Sequence, residues 1–283
     1  MARTFKARRG YLELGTALVA IAWLAAPARA KEEPLWEFGL GLGALGFEDY
    51  RGSDSTHVYP VPIAVGSYNG PFLKADREGV RGELLKEDWI ELNLSANATT
   101  PVRNDAERYG MPELRPTVEL GPAVNVHLFR TDDAQIKLDF RMPLRAAVTV
   151  QAAPQFIGWT LTPSLALDIL DPFGYGGWHL GLLSGPLFAD RRYDNYFYSV
   201  APQYATGARP AYQAPGGYAG TQFITALSKR FPKYWVGAYV RYDTLAGASF
   251  EDSPLVRRDS YWSAGIGFAW MIAKSAHMVN VPD

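Results

Sequence analysis

Few side chains in this sequence are suited to general-base chemistry, because it holds only four histidines, His57, His127, His179 and His277. His127 alone has candidate orienting groups nearby: Asn125 lies two residues before it, and Asp139 lies in the next alternating segment. A hydrolytic centre also needs a nucleophile within hydrogen-bond reach, and the sequence contains no Gly-x-Ser-x-Gly elbow. We predict no catalytic residue, and we rank a hydrolase acting on lipid last among three functional hypotheses.

Composition argues against metal, cofactor and nucleic-acid chemistry. The chain has no cysteine, which excludes disulfides, thiolate zinc sites, iron–sulfur clusters and a lipoprotein anchor. The scattered histidines lack metal-binding spacing. With 28 basic and 29 acidic residues, the formal net charge is -1, which argues against nucleic acid as a partner. We predict neither a metal nor a cofactor.

Charged residues recur at alternate positions in two long segments. Residues 117–128 and 136–150 place apolar side chains at even positions and polar ones mostly at odd positions, with a turn at 130–133. Side chains alternate between the two faces of a β-strand, so each segment has one apolar and one charged face. Extended over the other strands, the pattern predicts one row of interior charges: Glu91, Glu119, Lys137, Asp139, Arg141, Arg145, Arg241 and Asp243.

This charged row has two interpretations. It is either a selectivity constriction in a channel or a set of paired charges that fills a narrow interior. We favour the second, because opposite charges across a strand pair stabilise it by roughly 0.2–1 kcal/mol. If positions summing to about 264 lie opposite one another, Glu119 is near Arg145 and Asn125 is near Asp139.

Strand length distinguishes a soluble sheet from a membrane barrel. Strands of roughly 12 to 16 residues exceed the usual five or six, whereas a membrane-crossing strand needs about 9 to 11. The sequence is 48% hydrophobic and 13% aromatic, with 27 glycines. We therefore predict an all-β fold, an antiparallel transmembrane β-barrel of about twelve strands, with ten as the alternative. Twelve strands require two short ones within residues 72–85.

Two local features qualify this pattern. Pro60 and Pro62 remove ladder donors and are expected at a strand end, a bulge or an irregular rim. Ile157 begins a row of outward apolar residues at odd positions that continues to Ile169 in one strand.

The start of the chain has the properties of a targeting segment. Residues 1–30 combine a basic beginning, an apolar stretch and the small-x-small site Ala28-Arg29-Ala30, which predicts a cleaved signal peptide. The predicted organisation is a signal peptide over 1–30, a barrel over 31–272 and a C-terminal tail over 273–283. An exported barrel implies the outer membrane of a Gram-negative cell, with lipid as a partner.

Loop lengths predict the orientation, because bacterial barrels have short periplasmic turns and longer outer loops. Loops 190–217 and 246–259 are therefore expected outside the cell. Trp36, Trp178 and Trp270 then form a periplasmic aromatic girdle, and Trp159 and Trp262 lie at the other membrane surface. The tyrosines of loop 190–217 are either a binding surface or part of a loop packed over its own barrel mouth, with equal weight.

Several motifs together resemble the MipA/OmpV family over the whole mature chain. They are Gly43-x-x-Gly46-Phe47-Glu48-Asp49-Tyr50-Arg51-Gly52-Ser53-Asp54, Tyr59-Pro60-Val61-Pro62, Gly110-Met111-Pro112-Glu113-Leu114, Pro116-Thr117-x-Glu119-Leu120-Gly121-Pro122, Tyr196-Phe197-Tyr198-Ser199-Val200 and Asp252-Ser253-Pro254-Leu255-Val256. Among these, we single out Asp49, Tyr50, Arg51, Gly52, Ser53, Gly110, Met111, Pro112 and Tyr198 as family-motif loop residues.

The resemblance implies an outer-membrane protein without enzymatic activity. It implies a scaffold that joins a lytic transglycosylase to a penicillin-binding murein synthase, in peptidoglycan turnover. On this hypothesis, turns such as 86–88, 171–177 and 231–233 would meet the partners. A porin-like channel for small solutes is the alternative, motivated by the interior charges.

Overall fold

The computed structural model describes residues 31–69, 73–76, 79–82, 85–87, 89–99, 102, 105–133 and 135–281. The predicted signal peptide over 1–30 lies outside the described residues. No helix in the described part of the chain is long and apolar enough to cross a membrane. The strands are β1 (Lys31–Pro34), β2 (Trp36–Glu48), β3 (Thr56–Asn69), β4 (Leu73–Asp76), β5 (Gly79–Gly82), β6 (Leu85–Glu87), β7 (Ile90–Thr99), β8 (Thr117–Arg130), β9 (Ile136–Thr149), β10 (Phe156–Leu161), β11 (Ser164–Leu170), β12 (Trp178–Ala189), β13 (Gly217–Arg230), β14 (Tyr234–Thr244), β15 (Ser260–Lys274) and β16 (Met278–Val281), and the helix is α1 (Arg191–Tyr198).

The predicted antiparallel sheet is confirmed as a single sheet of 14 strand segments. Most strands pair with their neighbours in sequence, and the first long strand, β2, pairs with the last, β15. The two ends of the sheet are β5 and β6, which follow one another in the chain from Gly82 to Leu85. Three peptide steps span at most about 11 Å, so the sheet must curl round until its ends are neighbours. Consistently, Cα atoms of β5 lie within 8 Å of β7.

The strand count agrees with the prediction apart from two segments. Region 72–85 does contain two short strands, β4 and β5. One predicted strand is divided into β10 and β11, both of which pair with β9 and β12. Lys86 and Glu87, predicted in a turn, lie in β6 and pair with β7; Asp88 lies outside the described residues.

Pro60 and Pro62 occupy the middle of the continuous strand β3, not its end, and they pair with Ala44 and Leu42 of β2. The expectation of a strand end, a bulge or a rim was wrong. Among the described residues, β3 meets its other neighbour, β4, only at Tyr68 and Asn69. The prolines therefore need no N–H on that open edge, where proline is tolerated.

Ile157 is 4% exposed and packs inward, which corrects its predicted outward position. The register between β9 and β10 shifts between Phe156 and Gly158, and Gly158 has φ +134°. This bulge reverses the alternation for one residue. It also brings the helix start close, since a Cβ on Gly158 would lie 2.2 Å from Asp190 Oδ1.

The predicted pairing between β8 and β9 is displaced by two residues. Asn125 pairs with Arg141, and His127 pairs with Asp139, so opposite positions sum to 266 instead of 264. Glu119 pairs with Ala147 and not with Arg145. A register shift lies between His127 and Phe129, and the last pair before the turn is Arg130↔Lys137.

The two faces of the sheet have the reverse of soluble-protein polarity. Acidic side chains on the concave, inner face are almost fully buried, with Glu91 and Glu119 each 3% exposed and Asp139 1%. The convex, outer face exposes large apolar side chains on strands all round the sheet: Leu42, Leu94, Leu120, Leu144, Trp159, Leu165, Phe223, Val240 and Ile266. In water, so wide an apolar surface would be strongly unfavourable.

Apolar side chains occupy part of the inner space. Ile63 and Trp235 belong to a buried cluster with Leu45, Val61, Val65 and Ala269. A methyl group on Gly43 or Gly267 would lie 2.4 Å from Ile63 Cδ1. Glycine at these positions therefore makes room for side chains that cross the inner space.

Candidate functional site: inner charge networks and the loop cap

A chain of five charged or titratable side chains crosses the inner face of β8, β9, β11 and β12. His127 Nδ1 lies 2.8 Å from Asp139 Oδ1. Arg141 Nη2 lies 3.5 Å from Asp139 Oδ2 and 3.2 Å from Asp168 Oδ2. His179 Nε2 lies 2.9 Å from Asp168 Oδ1. We call these five residues the histidine network.

The histidine network lies near the short turns, because His127 and His179 are close to the turn ends of β8 and β12. It contains the base-and-orienter pair that the sequence suggested, His127 with Asp139. Within the described residues, the other hydrogen bond to the His127 ring comes from Arg130, at 3.4 Å, and no serine or threonine hydroxyl bonds to it. A nucleophile hydrogen-bonded to the base, which hydrolytic chemistry needs, is not found among the described neighbours of His127.

A second polar network, the arginine cluster, lies at the opposite end of the inner face. Arg51 reaches from loop 49–55 to Asp243 Oδ1, at 3.1 Å from Nη2, and its Nε donates to Tyr261 Oη at 3.0 Å. Arg241 also bonds to Asp243, with Nη2 at 2.8 Å from Oδ1. Asp243 is 0% exposed. Two guanidinium groups therefore compensate one buried carboxylate.

Glu119 joins the sheet to the helix. It accepts hydrogen bonds from Thr160 Oγ1 at 3.1 Å and from Tyr193 Oη at 2.9 Å. Arg145 instead donates to the hydroxyls of Ser95 and Thr162, at 2.9 and 3.3 Å. The single row of charges predicted from alternation thus forms several local networks. In the same row, Lys137 is half-buried and Glu91 is buried.

The long loops fold into a compact structure over one end of the sheet. We call it the loop cap and define it as residues 49–55, 102, 105–116, 190–216 and 245–259. Its core is a buried apolar cluster that includes Tyr50, Phe197, Tyr198, Phe250 and Leu255 and continues onto the inner ends of the strands. Tyr198 stacks on Phe250, with ring centroids 3.6 Å apart and an interplanar angle of 8°.

The sequence predicted residues 190–217 as one long loop, and this loop contains helix α1. Asp190 caps the helix start by accepting from Tyr193 N at 2.8 Å, which is the usual role of an aspartate at this position. Tyr193 and Tyr198 are inside the cap, and burial raises the pKa of both phenols. Of the two interpretations of these tyrosines, packing over the end of the sheet agrees with the structure.

Hydrogen bonds connect the cap loops to one another. Tyr50 Oη donates to Leu255 O at 2.8 Å, and Tyr198 Oη donates to Arg51 O at 3.1 Å. Ser53 Oγ donates to Asp105 Oδ2 at 3.1 Å. Arg209 Nη1 donates to the carbonyls of Glu107 and Tyr109, at 2.7 and 3.1 Å. Four loops are thereby held as one body.

Asp194 is the least compensated acid in the cap. It is 0% exposed. Among the described residues, Oδ2 accepts only a 3.4 Å bond from Ser249 Oγ, and Oδ1 has no hydrogen-bond partner. Burial raises the pKa of Asp194 from 3.8 to about 7. Sequence reasoning missed this residue, although an aspartate in the first turn of a helix is otherwise an ordinary surface position.

Comparison with known proteins shows the family of this chain. The profile of the family described as MltA-interacting protein MipA matches residues 40–272. The chain belongs to the MipA family. A comparison with curated proteins gives no match.

Two solved structures overlap with this MipA-family chain at low identity. One is described as a bacterial polysaccharide outer membrane secretin, with 10% identity, 84% of this chain and 98% of the other covered, and a TM-score of 0.39. The other is the Ralstonia pickettii toluene transporter TbuX, with 9% identity, 92% and 77% covered, and a TM-score of 0.25.

The family-motif loop residues lie together in the cap, whereas other parts of the family motifs lie in β2, β3 and β8. Asp49, Tyr50, Arg51, Gly52 and Ser53 form the loop that enters the cap, and Gly52 O accepts from Arg257 N and Arg258 N at 2.7 and 3.1 Å. The second motif is more peripheral: Gly110 and Pro112 are exposed, and Met111 packs against the cap core. The motif residues thus organise loop packing in this structure.

The predicted girdle tryptophans lie near the two ends of the strands. Trp36 and Trp270, 39% and 59% exposed, adjoin the short-turn end, and Trp178 there stacks edge-on to Phe173. Trp159 and Trp262, 44% and 66% exposed, adjoin the cap. From Trp262 to Trp270, a strand rises about 26 Å, close to the roughly 25 Å apolar band of outer-membrane barrels.

No group of three or more histidine, aspartate or glutamate side chains within the described ranges is arranged to hold a metal ion.

Asp168 and His179 were missed as site residues. Alternation could have found both, since each is flanked by the apolar residues of the outward rows in β11 and β12.

Proposed function

We propose that this MipA-family protein is a non-enzymatic scaffold of the Gram-negative outer membrane that holds murein-synthesising and murein-degrading enzymes beside it. In this proposal, the signal peptide exports the chain, the curled sheet closes into a barrel, and lipid surrounds its outer face. The exposed apolar outer face carries the membrane part of the proposal, because water would disfavour it and lipid would not.

The packed loops at one end of the sheet favour a scaffold function and argue against a channel function. The cap core and its hydrogen bonds occupy one end of the inner space, and Ile63 and Trp235 lie across the inner face further down. The inner charges are engaged in short ion pairs and hydrogen bonds. A solute would have to displace these groups to pass.

The family description supplies the class of partner. A protein described as MltA-interacting binds a lytic transglycosylase, which degrades murein, and we extend that partner and a penicillin-binding murein synthase to this chain. Short turns and both described chain ends lie at the end opposite the cap. The loop-length rule assigns this end to the periplasm, where murein enzymes act.

In-cell crosslinking of the mature protein, followed by affinity purification and mass spectrometry, tests the proposal. An unrelated outer-membrane barrel of equal abundance is the control. We expect selective recovery of a lytic transglycosylase or a penicillin-binding synthase. Recovery of only the barrel-assembly machinery and neighbouring porins would contradict the scaffold.

A further inference from the structure

The two ends of the described chain pair with each other and form a separate two-stranded ribbon. β1 pairs antiparallel with β16, from Lys31↔Val281 to Pro34↔Met278. The ribbon continues the β2–β15 pair, because Leu35 N donates to His277 O and Ser275 N donates to Trp36 O, both at 2.8 Å. It therefore extends from the sheet at the end opposite the loop cap.

One edge of this ribbon is open. In the described part of the chain, β16 pairs only with β1, whereas β1 also lies beside β3. The β15–β14 pairing ends at Trp270↔Tyr234, with Met271 N donating to Lys233 O. From Ile272 onward, the same edge runs past the 231–233 turn to Val281, and no described strand pairs with it there.

The register identifies which backbone groups face this open edge. Residues of an antiparallel pair alternate between positions that exchange hydrogen bonds and positions that direct them away. Because Leu35 bonds to His277, the alternation directs Val279 toward β1. Met278 and Asn280 then direct their N–H and C=O groups to the open side.

A two-stranded ribbon is only marginally stable by itself in water, and a third strand that adds apolar contacts stabilises it. Exposed apolar side chains lie on the segment that borders the open edge: Ile272 is 60% exposed and Met278 is 44% exposed. An unpaired edge with apolar neighbours is the surface that binds extended peptides by strand addition.

We propose that the open edge of β16 binds an extended segment of a periplasmic murein enzyme, which adds to the ribbon as a third strand. This inference rests on the scaffold function proposed above and names its docking surface. The backbone of Met278 and Asn280 supplies the hydrogen bonds, and Ile272 and Met278 supply apolar contact. The short turns then need only flank the bound segment.

Proline substitution separates backbone from side-chain contributions. Met278→Pro and Asn280→Pro remove outward N–H groups without removing a β1–β16 hydrogen bond, since both lie at positions that face away from β1. Met278→Ala and Asn280→Ala are the matched controls, because they keep the N–H. Heat-modifiable mobility on gels shows that each full-length variant folds.

The measurement is recovery of the murein enzyme after in-cell crosslinking, quantified for each variant. We expect each proline variant to lower recovery by up to about tenfold, as the loss of one backbone hydrogen bond implies. Asn280→Ala should retain wild-type recovery, and Met278→Ala should lower it less than Met278→Pro does, because it removes only the apolar contact. A photocrosslinking residue at Ala276 should capture the same enzyme. The same residue at Tyr109, which is 86% exposed in the cap, should not.

Two results would overturn the docking surface while leaving the scaffold intact: wild-type recovery in folded proline variants, or an Ala276 crosslink only to a second copy of this chain. Failure of the wild-type protein to recover any murein enzyme would overturn both proposals.

Discussion

The two ends of the molecule differ in how their backbone and side chains are used. At the cap, four loops bury an apolar core and exchange hydrogen bonds, and Arg51 extends from them to Asp243 inside the sheet. At the other end, short turns such as 231–233 connect the strands, and the ribbon of β1 and β16 leaves one edge open.

This difference separates stability from binding. Most cap residues pack against or hydrogen-bond to other cap residues, so substitutions there should affect folding. At the turn end, backbone N–H and C=O groups of β16 face the open edge of the ribbon. Substitutions there should therefore affect the binding of partner proteins. The five substitutions below test that separation and the packing of the interior, from the largest expected effect to the smallest.

Asp243→Ala should produce the largest effect. It leaves the Arg51 and Arg241 guanidinium groups without their buried carboxylate, a change that costs about 3–5 kcal/mol. Urea unfolding in detergent micelles, followed by tryptophan fluorescence, measures the free energy of unfolding. The exposed residue Asp252 supplies the control, Asp252→Ala, and equal stability of the two variants would contradict the anchoring role of Arg51.

Phe250→Ala should destabilise the cap selectively. Phe250 is 0% exposed and stacks on Tyr198, and deletion of such a ring costs about 3–5 kcal/mol where the site cannot collapse. Limited proteolysis should then cut the loops around 190–216. Phe173→Ala, at a 52% exposed position of the turn end, is the matched control; comparable cleavage in both would remove the distinction between the ends.

Asp194→Asn should remove a pH dependence of cap stability. The native pKa of about 7 lies above the ordinary 3.8, so the folded protein keeps a proton that the unfolded chain releases. The free energy of unfolding should therefore fall as pH rises from about 4 to about 7, by up to about 1.4 kcal/mol per pH unit, and level off above. Urea unfolding across this range should be flatter for Asp194→Asn and unchanged for Asp252→Asn.

Arg141→Ala and Arg145→Ala should have the smallest effect of the five substitutions, since we expect neither to change ion conductance. If the inner charges fill the interior, the wild-type protein in planar bilayers shows no steady conductance and neither variant opens one, because the cap remains packed. A large wild-type conductance that changes in both variants would favour the channel hypothesis and require the cap to open.

Alternation in the sequence predicted the long strands because one face is apolar and the other is polar in each of them. It identified Glu119, Asp139, Arg141 and Asp243 as inner residues for the same reason. It could not fix their partners, since the register of β8 and β9 depends on the turn and on a bulge at His127–Phe129. An error of two residues keeps every side chain on its face and changes every neighbour.

The cap was less accessible to sequence reasoning. Helix α1 has eight residues rich in tyrosine and arginine, too few for a periodic pattern, although Asp190 is a preferred residue type at the position before a helix. The joint burial of Tyr50, Tyr198 and Phe250 depends on three loops distant in sequence, and local patterns carry no information on such contacts.

The pairing of β2 with β15 also constrains how the protein assembles. Leu42 and Phe268 lie opposite each other although 226 residues separate them, so the first long strand waits for nearly the whole chain before it gains its second neighbour. Contacts between residues so distant in sequence form slowly, because the chain loses loop-closure entropy before the contacts can stabilise it. Until β15 arrives, the edge of β2 is exposed to other chains, and the rate of this last pairing sets how long the new protein is vulnerable to aggregation.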